Sequence, residues 1–202
     1  MPGGLPGMSE QEDCRLIRET LDGRPDAFRR LIEKHQDVVF DLCLRMLGSM
    51  QDAEDAAQET FLTVYRHLPE YRPQHKLSNW LYTIALNRCR RVLRRRKILR
   101  FLSLEFFSSP DEDSDSTPRE LAATDALPDA ALEQEHAEEL AQKLLAALPA
   151  TLREAFILRH MKHLSYQQIA QALHLPLSNV KVRIHRAKLF LWKHFGRRLE
   201  NL

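Results

Sequence analysis

The chain has 202 residues and a formal net charge of +2, from 30 Lys+Arg against 28 Asp+Glu. Its 44% hydrophobic content excludes a wholly disordered chain. Three cysteines without C-x-x-C spacing argue against a structural zinc site, and no run approaches the ~18 apolar residues of a membrane span. The near-neutral total conceals four blocks. Residues 1–70 hold 8 basic and 14 acidic side chains, 71–104 hold 10 and none, 105–143 hold 2 and 12, and 144–202 hold 10 and 2. Two basic blocks separated by an acidic one predict two polyanion-binding surfaces. The opening MPGGLPGMSEQEDC has neither a basic n-region nor an apolar h-region, so no signal peptide is expected. A reducing, cytoplasmic setting follows, with the cysteines as buried thiols.

Glycine is scarce and apolar residues recur at helical spacing in almost every segment, which predicts an all-α fold. The first strong helix is expected from Asp26 to Leu47, with Leu31, Val39, Leu42, Cys43 and Met46 in its apolar stripe and Gly48 as its stop. A second is expected to begin at Asp52 as N-cap and to end before Pro69. Its outer face presents Glu54, Asp55, Gln58 and Glu59. A polar loop, EYRPQHK, leads to a third helix capped near Ser78, in which Trp80, Leu81, Ile84, Ala85 and Cys89 are expected in the core. Asn79, Tyr82 and Asn87 are expected off that stripe and available for contacts.

The helix ends in a dense run of arginines, whose mutual repulsion a polyanion would relieve. With Tyr71 and Arg72 before it, the segment interleaves aromatic and cationic groups, a pattern suited to stacking unpaired bases at ~1–3 kcal/mol each. The following stretch, SSPDEDSDSTPRELAATDALPD, cannot bury enough apolar surface to fold alone and is expected to be a mobile linker. Helical periodicity resumes near Ala131.

Beyond it, Ser165 with Gln168 three residues on has capping-box spacing, and the turn HLPL separates this helix from one beginning near Ser178. Val180, Ile184 and Ala187 fall on one side of that last helix, Lys181, Arg183, Arg186 and Lys188 on the others. This is helix-turn-helix organisation, whose second helix enters the major groove. Residues 155–199 hold 9 Lys+Arg and no acid, which favours DNA binding over a merely solvated face.

Together these segments resemble a bacterial sigma factor of the compact extracytoplasmic-function (ECF) group, over roughly residues 16 to 195. DAFRRLIEKHQDVVFDLCLRML, DAEDAAQETFLTVYRHLPEYR and SNWLYTIALNRCRRVLRRR resemble sigma region two; LPATLREAFILRHMKHLSYQQIAQALHLPLSNVKVRIHRAK resembles region four. The resemblance implies residues 15–102 as a region-two-like domain and 131–202 as a region-four-like domain. From composition, the Gly and Pro of residues 1–14 predict a disordered extension and 103–130 is expected to be the acidic linker.

It also implies that Asp52, Asp55, Gln58, Glu59 and Phe61 dock on core RNA polymerase. Arg72, Gln74, Lys76, Asn79, Asn87, Arg88, Arg91 and Arg95 would face the minus-ten element. Arg159, Ser178, Asn179, Lys181, Arg183, His185 and Arg186 would face the minus-thirty-five element. An anti-sigma factor is an implied further partner, and no cofactor or metal is called for. Where relatives carry glycine in the helix-turn-helix turn this chain has His174, a residue type enriched at positive φ.

Two other readings remain at this stage. An autonomous regulator would bind a palindromic duplex as a dimer without polymerase. A nucleic-acid-processing enzyme would need a converging catalytic constellation, and both basic blocks lack the acids for one.

Overall fold

A computed structural model describes residues 8–72, 76–107 and 130–199, and all the regular structure among them is helical. Residues 1–7 and most of the expected linker, 108–129, lie outside the described residues. The helices are α1 (Met8–Leu21), α2 (Pro25–Leu47), α3 (Met50–His67), α4 (Leu77–Phe107), α5 (Ala130–Ala147), α6 (Ala150–His160), α7 (Tyr166–Leu173) and α8 (Leu177–Leu199).

Helix α1 takes in residues 8–14, assigned from composition to a disordered extension. Leu16 and Ile17 bury its inner face, while Lys34 Nζ bonds to Glu12 and Asp13 at 2.7 and 2.8 Å and His35 Nε2 lies 3.1 Å from Asp13. Partners supplied by α2 therefore hold this end of the chain, which its own Gly and Pro content does not reveal. Burial alone pushes the Asp13 carboxyl up, but hydrogen bonds from His35 and Lys34 outweigh it and hold Asp13 below its ordinary value.

Helix α2 starts on Pro25, where a missing N–H costs nothing, and stops at Gly48 in the left-handed region with φ 68°. The N-cap of α3 is Ser49, whose Oγ accepts from Asp52 N at 3.3 Å; Asp52 sits inside the first turn rather than capping it. Both residue types cap helices, and the backbone selects the one at the chain reversal.

Helix α4 packs against α2, α3, α6 and α7, so it is enclosed on several sides. Its buried set is Leu77, Asn79, Leu81, Tyr82, Ala85, Leu86 and Cys89, while Trp80 and Ile84 are only half-buried. The stripe is thus turned toward Tyr82 relative to the expected one, because a central helix meets neighbours on more than one face.

In the C-terminal half, Ser165 and Gln168 close the expected capping box, with bonds of 2.8 and 3.2 Å. His174 ends α7 at φ 54°, ψ 48°, and His163 also has φ 54°, so histidine occupies both left-handed turns. Val180, Ile184 and Ala187 of α8 close the core over Ile157, Ile169 and Leu173. Truncating one such buried leucine or isoleucine to Ala costs about 2–5 kcal/mol.

One buried cluster runs from Leu16 to Leu191 and does not divide between the halves. The end of α2 shows how they join. Its carbonyls at Leu44, Met46 and Leu47 accept from Gln142 (3.1 Å), Arg153 (2.6 Å) and Arg96 (2.8 Å). Cations suit a helix C-terminus, and these donors come from α5, α6 and α4. Arg153 also bonds to the carbonyls of Ala146 and Leu148, which ties the end of α5 to the end of α2.

Candidate nucleic-acid interface

The outer face of α3 exposes Asp55 and Gln58, whereas Asp52 and Glu59 are ion-paired to Arg96 and Arg88 of α4. Phe61 is 7% exposed and lines a groove of about 630 Å³ between α2 and α3, with Phe28, Ile32, Phe40 and Leu62. The expected docking set therefore divides into two exposed polar groups, two carboxylates neutralised within the chain, and one aromatic in a groove wall.

The minus-ten set divides similarly. Arg72, Asn87, Arg91 and Arg95 are exposed. Arg88 is held by Glu59, and Lys76 Nζ reaches Glu10 of α1 at 2.6 Å. Gln74 lies outside the described residues. Asn79 and Tyr82 are each 6% exposed, which removes them from the expected contact surface: the enclosure of α4 places them in the core. Burial, with the Asp41 carboxylate nearby, pushes the Tyr82 phenol up. Tyr71 packs on Trp80 with ring centroids 5.2 Å apart, and burial first of all pushes its pKa up to about 12.

Helix α8 is different. Ser178, Asn179, Lys181, His185 and Arg186 are all exposed, on the side opposite Val180, Ile184 and Ala187. Ser178 lies in the first turn rather than at the cap, since the Pro176 carbonyl accepts from Asn179 N at 3.0 Å and Val180 N at 3.2 Å. Capped α7 sets the angle at which this polar face is presented. Burial, then the charges of Lys188 and Arg159 and the neighbouring His163, push His160 below its ordinary value, as expected in a positive field. Arg159 is used within the domain: Nη1 donates to Leu164 O at 2.9 Å and the guanidinium lies 4.8 Å from the Tyr166 ring centre. Arg183 is likewise engaged, donating to Glu154 at 2.8 Å. Sequence reasoning assigned no role to Glu154 or to Arg90, its other partner at 2.7 Å.

Two family models match in chain order: Sigma-70 region 2 over residues 31–98 and Sigma-70 region 4 over residues 138–191. The ECF RNA polymerase sigma factor SigW of Bacillus subtilis is 33% identical over 180 residues, covering 89% of this chain and 94% of that protein. The chain belongs to the ECF sigma factors. The RNA polymerase sigma-H factor of Pseudomonas aeruginosa is 31% identical over 189 residues, covering 90% of this chain and 92% of that protein. Among solved structures, CnrH in complex with the cytosolic domain of CnrY superposes with a TM-score of 0.62 at 23% identity. It covers 92% of this chain and 98% of that one. The sigma factor RpoE in complex with the anti-sigma factor NepR from Bartonella quintana superposes at 0.57 with 20% identity, covering 82% and 94%. These last two likenesses speak for the shared fold.

In this sigma factor, region 2 takes in most of α2, all of α3 and the arginine-rich part of α4, and region 4 takes in α6, α7 and most of α8. Among the described residues no group of three or more His, Cys, Asp or Glu is placed to hold a metal ion, and no helix is long and apolar enough to cross a membrane. The protein is a transcription initiation factor and not an enzyme.

Proposed function

We propose that this sigma factor docks on core RNA polymerase through Asp55, Gln58 and the groove beside Phe61. It reads the minus-thirty-five element through Ser178, Asn179, Lys181, His185 and Arg186, and captures the opened minus-ten strand with Arg72, Asn87, Arg91 and Arg95. The observation that carries the reading is the face of α8, where five polar or cationic side chains stand exposed on a helix positioned by a capped neighbour. Lys and Arg suit phosphates and guanine, Asn suits adenine, and phosphate contacts set the register in which bases are read.

Opening a promoter breaks stacked pairs at a mean of ~1.4 kcal/mol per step, so opening a few requires several kcal/mol from new contacts. Joining two modest DNA-binding modules raises the effective concentration of the second, and polymerase fixes their separation. Core polymerase supplies the chemistry of RNA synthesis, and its company places the protein in the cytoplasm. By extension from the complex with NepR, an anti-sigma factor is a further partner.

The test mixes the purified protein with core RNA polymerase and a randomised promoter library, then sequences run-off transcripts. Templates sharing a two-part motif, lost when either component is omitted, are the expected result. No transcription, together with dimeric binding of a palindromic duplex by the protein alone, would replace this reading with the autonomous regulator.

A further inference from the structure

Helix α8 carries a side chain at the centre of its outer face that the contacts proposed above leave out. Val182 is 45% exposed. At about 100° per residue it stands roughly opposite the buried stripe of Val180, Ile184, Ala187 and Leu191. Residues three and four apart are neighbours on a helix surface. Around Val182 these are Ser178, Asn179, His185 and Arg186, and every one of them belongs to the set proposed to read the minus-thirty-five element. A single exposed valine is common on protein surfaces. One ringed by such groups, on a helix that enters the major groove, is carried against base edges. It is the sixth residue of α8, within the N-terminal turns that a recognition helix directs at the bases. Exposed Leu189 lies on the same line two turns further on, beyond them. Residues 155–199 hold no acid, so the rim of this apolar spot complements a phosphate backbone.

The major groove offers donors and acceptors on every base pair, but only thymine adds an apolar group, its C5 methyl. An isopropyl group pressed on a polar edge removes water from that edge and returns no hydrogen bond, which disfavours the other bases. Against a methyl group there is no such cost. Valine in a helix also has one strongly preferred χ1 rotamer, so little side-chain freedom is lost on contact. Resting on the function proposed above, we infer that Val182 reads a thymine of the minus-thirty-five element, packing its γ-methyl groups on the C5 methyl. The cations beside it set register on the phosphates, and Val182 supplies selectivity at one base pair.

Holoenzyme assembled from the full-length chain and core RNA polymerase tests this on a fluorescently labelled duplex promoter taken from the run-off selection. Each thymine of its minus-thirty-five element is replaced in turn by deoxyuridine, which removes the C5 methyl and nothing else. At one position the wild type should lose about fourfold in affinity, the worth of one buried methyl-sized group. Val182→Ala should bind the thymine duplex about fourfold more weakly and be indifferent to deoxyuridine there. Its salt slope should match that of wild type, since a methyl contact releases no counterion. Val182→Thr, which keeps a γ-methyl, should keep the dependence on the thymine methyl. Val182 is on the surface and Ala is the better helix former, so the variant keeps its fold, checked by circular dichroism. A Val182→Ala holoenzyme with the same deoxyuridine sensitivity as wild type at every position overturns the thymine contact, while a wild type that still selects an upstream element leaves the α8 reading standing. A wild-type holoenzyme that selects no upstream element removes the α8 reading, and the thymine contact falls with it.

Discussion

Helices α4 and α8 carry comparable cation content, yet on α4 Arg88, Arg90 and Arg96 each meet a carboxylate, whereas on α8 Arg183 does so and Lys181, Arg186 and Lys188 have no ion-pair partner among the described residues. The difference lies in the neighbours. Helix α4 runs beside acidic α3 and beneath Glu154, so its arginines join elements together as well as offering charge. Helix α8 belongs to a block with a single buried acid and keeps its outer cations for solvent or phosphate. Basic composition therefore measures how much charge a segment carries, and the supply of nearby carboxylates decides how much of it is available.

The comparison can be broken or sharpened in order of expected effect. Reversing Asp55 and Glu59 to Lys inverts the charge of the proposed docking face and deprives Arg88 of its partner. Core polymerase affinity should fall about 100-fold in a binding titration, with helicity retained. Replacing Lys181 and Arg186 with Ala should reduce minus-thirty-five-dependent transcription about tenfold and flatten the salt slope of duplex binding by about two units. The same truncation of Arg88 and Arg96 should instead lower the urea unfolding free energy by about 1 kcal/mol, since these half-exposed pairs are partly screened by water. A loss of stability from the α8 pair as large as that from the α4 pair would erase the distinction.

A smaller effect is expected at the turn that aims α8. His174→Gly removes a left-handed side chain and should stabilise the protein by about 0.5–1 kcal/mol, seen as a Tm increase of a few degrees. The smallest concerns α1. The Asp13 carboxyl is held below its ordinary value, so its contribution to stability is present above the ordinary carboxylate pKa and is lost as pH falls through the lower folded one. Unfolding midpoints measured below about pH 4 should drop in the wild type and drop less in Asp13→Asn.

Periodic and capping signals carried much of the fold into view from sequence. The apolar stripe and Gly48 stop of α2, the Ser165 capping box, the left-handed His174 and the inward Val180, Ile184 and Ala187 were all readable, because each is set within a turn or two of chain. Asn79 and Tyr82 were misplaced for the opposite reason: whether a polar residue on a helix is buried depends on how many neighbours enclose the helix, and α4 has four. The pairing of Glu154 with Arg90 joins residues 64 positions apart, and no local spacing announces it. One signal was present, a lone acid in a basic block, and its significance emerged only with its burial.

The carbonyls that end α2 also bear on how the protein is made. Translation proceeds from the N-terminus at about 5–20 residues per second, and Gln142 and Arg153 follow Leu44 and Met46 by 98 and 107 residues. For roughly 5–20 s after Met46 is synthesised, the nascent helix relies on Gly48, on water and, once it emerges, on Arg96. Every newly made molecule therefore passes through a stage on the ribosome in which the end of α2 is made before the C-terminal donors that cover it.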